Sequence, residues 1–268
     1  MPFLRIENIN WHYEICGEGE PVIFLHGWGG SSRIWNQQVE YFSREFKTIT
    51  IDLPGHGKTD WQDVGLQGIA QGINALVGQL GLNKVNLVGN SVGGLIGVKM
   101  FELDPNLFKR SCFVDSLPKF LKSEDFPFGL DSKQIENLSA QVDSDYPAIV
   151  DIFFRSLFVR EERQDGKLQW LMKFRKEDDL PQKGALKKIL DILIEGDLRD
   201  VFKKINVPVL LVNGTDDYIC SKDAVLFLNR ILPSAKTTFI NKSGHFPFLT
   251  RPQEFNKILE GFLKHDQS

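Results

Sequence analysis

Short apolar runs alternate with longer amphipathic stretches along most of this chain. Phe3-Leu4-Arg5-Ile6-Glu7 and Asn10-Trp11-His12-Tyr13-Glu14-Ile15 alternate in polarity, as half-buried hairpin strands do. His12 then falls on the strand surface. Val22-Ile23-Phe24-Leu25, Phe46 to Ile51, Val85-Asn86-Leu87-Val88, Lys109 to Val114, Val209-Leu210-Leu211-Val212 and Thr238-Phe239-Ile240 also read as strands. Several are unbroken apolar runs, the pattern of strands covered on both faces. Helical patterns separate them. Ser31-Ser32 caps a helix through Trp35 and Val39 to Phe42. The spacing predicts a helix over 67–80, although Gly68, Gly72 and Gly78 each weaken it by about 1 kcal/mol against alanine. Leu95 to Phe101 reads as a buried helix, and Glu254 to Leu263 as the closing one. Positions 265–268 read as a frayed tail. Strands alternating with helices imply a mostly parallel sheet with helices on both faces.

Between Pro118 and Asp197 the pattern changes. No strand-like run of convincing length occurs. Phe, Leu, Lys and Glu recur at helical spacing, punctuated by Pro127, Pro147 and Pro181. This predicts a helical cap over 118–197, inserted after the sixth strand into a core made of 1–117 and 198–268.

The chemistry concentrates at Val88-Gly89-Asn90-Ser91-Val92-Gly93-Gly94. Gly-x-Ser-x-Gly between a strand and a helix is a nucleophile elbow. The turn is so sharp that Gly89 and Gly93 leave room where side chains would clash, and the serine oxygen stands above the sheet edge. Such a serine needs a base to take its proton and an acid to orient that base. The strand Val209-Val212 leads to Asn213-Gly214-Thr215-Asp216-Asp217, and the next strand leads to Lys242-Ser243-Gly244-His245-Phe246-Pro247. The acid and the histidine thus fall on loops at the sheet end where Ser91 points. Two adjacent acids compete for the orienting role; the pattern of the hydrolases this stretch resembles, with the acid three residues after the glycine and then x-Ile or x-Val, picks Asp217 and leaves Asp216 as a turn former. Two main-chain N–H groups should hold the developing oxyanion. Val92, after the nucleophile, supplies one; Trp28, in His26-Gly27-Trp28-Gly29-Gly30, supplies the other. His26 and His56 read as braces of their loops.

With these motifs in order, the chain resembles the α/β-hydrolase superfamily along nearly its whole length. His26-Gly27-Trp28-Gly29, Asp52-Leu53-Pro54-Gly55-His56-Gly57, the Ser91 elbow, Gly214-Thr215-Asp216-Asp217 and Gly244-His245 carry the resemblance. Within it the chain looks most like the pimeloyl-acyl-carrier-protein methyl ester esterases of biotin synthesis. The pointers are His-Gly-Trp-Gly followed by Trp35, Asp197-Leu198-Arg199 before Val207-Pro208, and His245-Phe246-Pro247-Phe248 followed by Pro252-Gln253-Glu254-Phe255. The resemblance implies an α/β-hydrolase fold, no cofactor, and a carrier-bound acyl ester substrate. Asn90 points instead toward C–C bond hydrolases of aromatic degradation, but Phe246 stands where those enzymes usually carry Trp. Leu95 stands where a related lyase carries Arg, and Ser91 excludes the aspartate-nucleophile branches. A receptor or scaffold of the same fold would be expected to lack part of the triad.

Composition narrows the setting. A chain of 268 residues suits one α/β domain with an insertion. A net charge of −3 gives no footprint for nucleic acid. Cys16, Cys112 and Cys220 show no metal-ligand spacing and fit a reducing, cytoplasmic setting. The first fifteen residues carry Arg5, Glu7 and Glu14 and read as no secretory signal, and no apolar run approaches a membrane span. No metal site and no membrane contact are expected, and a monomer is.

Inside the cap, Arg155, Arg160, Arg163, Lys167, Lys173, Arg175 and Lys176 outnumber Glu161, Glu162 and Asp165. The bland reading is a solvated face. The resemblance adds another, since the esterases it points to dock an acidic acyl carrier protein on basic cap residues. If the segment is one helix, Arg160, Arg163 and Lys167 share a face, and Gly166 is the point at which it would break. Phe126, Phe128, Phe153, Phe154 and Phe158, with Phe246 and Phe248, suggest an apolar acyl channel or plain packing of cap on core. Phe153, Arg163 and Lys167 are the candidates for substrate and partner contact.

Overall fold

A computed structural model describes residues 2–177, 179–232 and 234–264. The expected tail at 265–268 lies outside the described residues. Eight strands form one sheet: β1 (Phe3–Ile6), β2 (Ile9–Cys16), β3 (Glu20–Leu25), β4 (Phe46–Ile51), β5 (Val85–Asn90), β6 (Phe108–Val114), β7 (Val209–Gly214) and β8 (Lys236–Ile240). Their spatial order is β1-β2-β4-β3-β5-β6-β7-β8. β1 and β2 form the antiparallel hairpin, β2 runs antiparallel to β4, and every other pairing is parallel. The central strands read as continuous apolar runs because both sheet faces are covered; every residue of β5 and β7 is buried.

The covering helices are α1 (Asn36–Phe42), α2 (Leu66–Gln79), α3 (Val92–Leu103), α9 (Arg199–Phe202), α10 (Lys222–Ile231), α11 (Pro247–Thr250) and α12 (Pro252–Lys264). α2, α3 and α9 pack along one face; α1 and α12 pack together on the other. Between β6 and β7 lie α4 (Ser132–Asp145), α5 (Ala148–Ser156), α6 (Arg160–Gln164), α7 (Lys167–Arg175) and α8 (Lys183–Glu195), with no named strand. A bridge between Lys119 and Asp197 closes the base of this segment.

Two local expectations change. The Ser31-Ser32 segment opens a 3₁₀ turn (Ser32–Trp35) before the short α1, and Ser31 makes no side-chain cap bond. Its place is taken by Asp52, whose carboxylate accepts the Ser32 N–H at 2.6 Å. His12 is not on the surface. It is 2 % exposed, and its Nδ1 meets Asp52 Oδ2 at 2.7 Å. Asp52 also accepts the Lys58 N–H at 3.0 Å, so one carboxylate ties together β2, the loop after β3 and the turn after β4. Burial alone would raise the Asp52 carboxyl. The His12 bond, the nearby His26 and the N–H groups of Lys58 and Ser32 outweigh it and bring it down to about 2.

The glycines of α2 have a packing reason. A Cβ on Gly72 would stand 2.4 Å from the Trp11 ring, whereas one on Gly78 would meet nothing within 4 Å. Gly72→Ala should therefore lower stability by about 1–3 kcal/mol, as overpacking outweighs helix propensity. Gly78→Ala should raise it by up to about 1 kcal/mol. Urea unfolding measures both, and equal gains would contradict a spacing set by Trp11. Asp52 predicts an acid dependence. Its folded value lies below the unfolded one, so its contribution of about 2 kcal/mol is whole above pH ~4 and is lost as pH falls through about 2. The stability gap between wild type and Asp52→Asn should shrink over that window. A gap independent of pH would show that the charge on Asp52 does not matter.

Candidate active site

Ser91 stands between β5 and α3 with φ 54° and ψ −126°, a region L-residues rarely adopt. Local packing enforces it. A Cβ on Gly89 would lie 2.6 Å from the Gly94 nitrogen, and one on Gly93 would lie 2.6 Å from the Leu25 carbonyl oxygen. The Ser91 N–H donates to Val114 O at 3.0 Å, and Ser116 Oγ donates to Ser91 O at 2.6 Å, so β6 holds the elbow from one side. Asn90 Nδ2 donates to Val114 O at 3.0 Å and His245 O at 3.4 Å. Its amide thus ties the elbow to the histidine loop, a structural use that any chemistry on this scaffold would share.

His245 follows β8 and Asp217 follows β7. Nδ1 of His245 and Oδ2 of Asp217 are 2.8 Å apart, and both residues are buried. Asp216 is exposed, where it accepts from Thr215 Oγ1. Asp217 Oδ1 accepts the Ile219 N–H at 2.8 Å. Burial would push the Asp217 carboxyl up, but the adjoining His245, with Asp115 and the Ile219 N–H, holds it below the usual carboxylate range. The Ser91 hydroxyl makes no hydrogen bond to His245, although both line one cavity. Such contacts commonly tighten only when substrate is seated.

Two buried acids beside this pair carry no periodic or motif signal. Glu162 of α6 is 1 % exposed. Its Oε1 accepts Ser243 Oγ at 2.9 Å and the Gly244 N–H at 3.0 Å, and its Oε2 accepts the Val159 N–H at 3.0 Å. The helical segment thereby grips the loop that carries His245. Asp115, at the end of β6, lies beside Asp217, and its Oδ1 accepts the Gly214 N–H at 2.9 Å.

On the other side of Ser91 is the loop after β3. Neither the Trp28 nor the Val92 main-chain N–H is bonded to a carbonyl among the described residues; Val92 opens α3, where first-turn N–H groups have no helical partner. His26 Nε2 accepts the Leu53 N–H at 3.0 Å, so its proton sits on Nδ1, which donates to Gly27 O at 2.8 Å. His56 Nε2 accepts the Gly29 N–H at 3.3 Å. Burial, with the nearby His26, drops His56 to about 3, so it stays neutral while it braces the loop. Arg175 is not part of a solvated face. It donates to Gly29 O at 3.0 Å and lies 3.8 Å from the centre of the Phe154 ring, clamping α7 to this loop.

Ser91 and His245 open into a cavity of about 180 Å³ lined by Trp28, Phe120, Leu130, Gln134, Ile135, Leu138, Phe153, Leu190, Leu193, Tyr218 and Ile219. Of the expected aromatic lining only Phe153 is there, edge-on to Trp28 at 4.7 Å. Phe126 and Phe128 pack on Phe227, and Phe154 stacks on Phe246 at 5.4 Å. They hold the helical segment to the core, and the aliphatic faces of α4 and α8 line the space instead. Tyr218 Oη meets Ser156 Oγ of α5 at 2.9 Å across the rim. The basic segment divides into α6 and α7 at Gly166, which lies at φ 73°, so the single-helix case in which Arg160, Arg163 and Lys167 share a face does not hold. Arg163 is exposed, yet its Nε and Nη2 donate to the carbonyls of Phe158 and Arg155 at 2.9 and 2.8 Å. Lys167 is half-buried at the start of α7. Asp217, Cys220 and His245 place ligand-type atoms within 4.8 Å of one another. They suit a metal poorly: Nδ1 and the carboxylate face each other, and burial pushes the Cys220 thiol up so that it keeps its proton.

Comparison with known proteins agrees with this architecture. The chain is 29% identical to the pimeloyl-[acyl-carrier protein] methyl ester esterase of Nitrosomonas europaea over 91% of this chain and 96% of that one. It is also 29% identical to the enzyme of that name from Wigglesworthia glossinidia brevipalpis, over 94% and 97%. Among solved structures, the bromoperoxidase from Bacillus anthracis superposes with a TM-score of 0.87 at 27% identity, covering 96% of each chain. An esterase from Exiguobacterium antarcticum shares the fold with a TM-score of 0.88 at 23% identity, over 98% and 99%. The model of the alpha/beta hydrolase fold family matches residues 20–252, and the chain belongs to that family.

Proposed function

We propose that this protein is a serine carboxylic-ester hydrolase that removes the methyl ester from an acyl chain carried on acyl carrier protein. The bond between His245 Nδ1 and Asp217, beside an apolar cavity shared with Ser91, is the observation that carries the reading. Ser91 Oγ attacks the ester carbonyl while His245 Nε2 takes its proton. Asp217 keeps the other imidazole proton on Nδ1. The N–H groups of Trp28 and Val92 hold the oxyanion. Collapse of the tetrahedral intermediate expels the alcohol oxygen, which takes the proton from His245 and leaves as methanol. Water, deprotonated by His245, then cleaves the acyl-enzyme and frees the acid and Ser91.

The walls of Ile135, Leu138, Leu190, Leu193 and Phe153 suit a run of methylenes, since few polar groups there would lose hydration. Residues 118–197 act as the cap over a core of 1–117 and 198–268. The names of the relatives support a carrier-bound substrate. The carrier's acidic surface meets the cap face bearing Arg155, Lys173 and Lys176, which border one hollow with Leu168 and Met172. Arg163 adds charge there while its guanidinium braces the turn after α5.

Ser91→Ala should lower hydrolysis of a p-nitrophenyl ester by about 10⁶-fold. Asp217→Asn should cost about 10⁴-fold, because the amide favours the wrong imidazole tautomer, and Asp216→Asn should cost little. Greater damage from the Asp216 change would reverse the assignment. Lys173→Glu with Lys176→Glu should slow the carrier-bound ester and spare the soluble one, because like charges slow encounter. Added salt should slow only the wild-type carrier reaction, as screening sets in over about 8–10 Å. Equal losses on both substrates would place the lysines in the cap fold, and no loss on either would remove this face as the docking site.

A further inference from the structure

Asp115 has no part in the chemistry above, yet it is wholly buried behind it. Its backbone lies at φ 44°, an uncommon conformation for a residue with a side chain. Strain of that kind persists where the surroundings fix it, and here they do. The Asp115 N–H donates to Val212 O at 2.9 Å, its main-chain oxygen accepts Cys220 Sγ at 3.1 Å, and its Oδ1 accepts the Gly214 N–H at 2.9 Å. The chain is thus pinned to β7 and its loop, with the carboxyl against Asp217.

The other oxygen, Oδ2, is buried and accepts no hydrogen bond among the described residues. The groups facing Asp115 are Asp217 from the loop after β7, Glu162 from α6 and the Cys220 thiol. None is a cation, and His245 is engaged by Asp217. Two ionised carboxylates in contact, away from water, repel strongly, and an orphaned anionic oxygen adds a further cost. One proton between the two groups removes both penalties, because Oδ2 then becomes a donor and Asp217 an acceptor.

We propose that Asp115 holds that proton on Oδ2 and donates it in a hydrogen bond to Asp217, acting as a positioning residue that keeps the Asp217 carboxylate turned toward His245. The choice of Asp115 as proton holder follows from the partners. Asp217 has His245 and the Ile219 N–H on its side; Asp115 has one N–H and two neighbouring acids. The directions agree: burial, then the Asp217 charge, push the Asp115 carboxyl well above the usual range, while Asp217 is held below it. The site is a four-membered relay of position, Asp115 to Asp217 to His245 to Ser91, in which the proton on Asp115 stays in place through the cycle.

The protonation can be tested without any assumption about activity; its kinetic consequence rests on the ester-hydrolase reading. The purified full-length protein at pH 7 should show the infrared C=O stretch of a protonated carboxylic acid, and Asp115→Asn should lack it. Its absence from the wild type would overturn the proposal. Asn is isosteric, tolerates positive φ, and offers an N–H₂ donor and a carbonyl in place of the protonated carboxyl. Asp115→Asn should therefore retain most of kcat on a p-nitrophenyl ester, with an unchanged acid limb of the pH profile. Were Asp115 ionised, the same change would remove a negative charge near the imidazole and move the limb to lower pH, which would contradict the proposal. Asp115→Ala should lower kcat by about 10–100-fold with little change in KM, the usual cost of losing a group that orients a functional one. It should also move the limb to higher pH, because an undivided Asp217 charge favours the protonated imidazole. An alanine variant equal to wild type would overturn the positioning role. Retained activity in Ser91→Ala would instead remove the hydrolase reading, and the infrared comparison would still decide the state of Asp115.

Discussion

The contact on which the site depends is between backbones. Gly93 lies so close to the end of β3 that any side chain would strike the Leu25 and His26 carbonyls. That approach lets the chain reverse at Ser91 with φ 54° and sets the first N–H groups of α3 beside the loop carrying Trp28. Ser91 and the N–H groups of Trp28 and Val92 share one constraint. Their spacing is therefore fixed by the parallel pairing of β3 with β5, not by side chains that could adjust. Asp217 and His245 arrive by the same geometry, one and two strands further along from β6, at the same sheet end.

Around this frame the molecule places charge where water cannot reach it, and each buried carboxylate has its own solution. Asp52 is satisfied by a histidine and two N–H groups. Glu162 accepts two N–H groups and a hydroxyl. Asp217 has an imidazole and an N–H. These are connections between distant segments as well as local satisfactions. Glu162 couples the helical segment to the loop of His245, and Arg175 couples it to the loop of Trp28. Movement of α6 and α7 would thus be felt on both sides of Ser91.

The framework was legible because it is local. Apolar runs gave the strands, and the requirement for close backbone approach made Gly89 and Gly93 informative. The family pattern after Gly214 points to Asp217 over Asp216, and in the structure the His245 imidazole is bonded to Asp217. What escaped depends on pairs far apart in the chain. His12 looks like a surface position until Asp52 closes on it across 40 residues. Ser31-Ser32 looks like a cap until the same carboxylate takes the Ser32 N–H. The phenylalanines between 118 and 197 carry no label for cavity or core, and Phe126, Phe154 and Phe158 went to the core. Arg175 reads as one more charge in a basic run until its bond to the Gly29 carbonyl is seen, whereas Gly166 does mark where that run divides into two helices. Asp115 and Glu162 were silent for the same reason: an acid in a strand end or a charged helix announces nothing until its neighbours are known.

The central claim is that Ser91 carries the acyl group between two half-reactions. Rapid quenching of the enzyme with a methyl ester substrate, followed by intact-mass and peptide analysis, tests this most directly. The account predicts an adduct of the acyl group on the peptide containing Ser91, with methanol released before the free acid. Release of methanol and acid together, with no acyl group on Ser91 at any time, would contradict it.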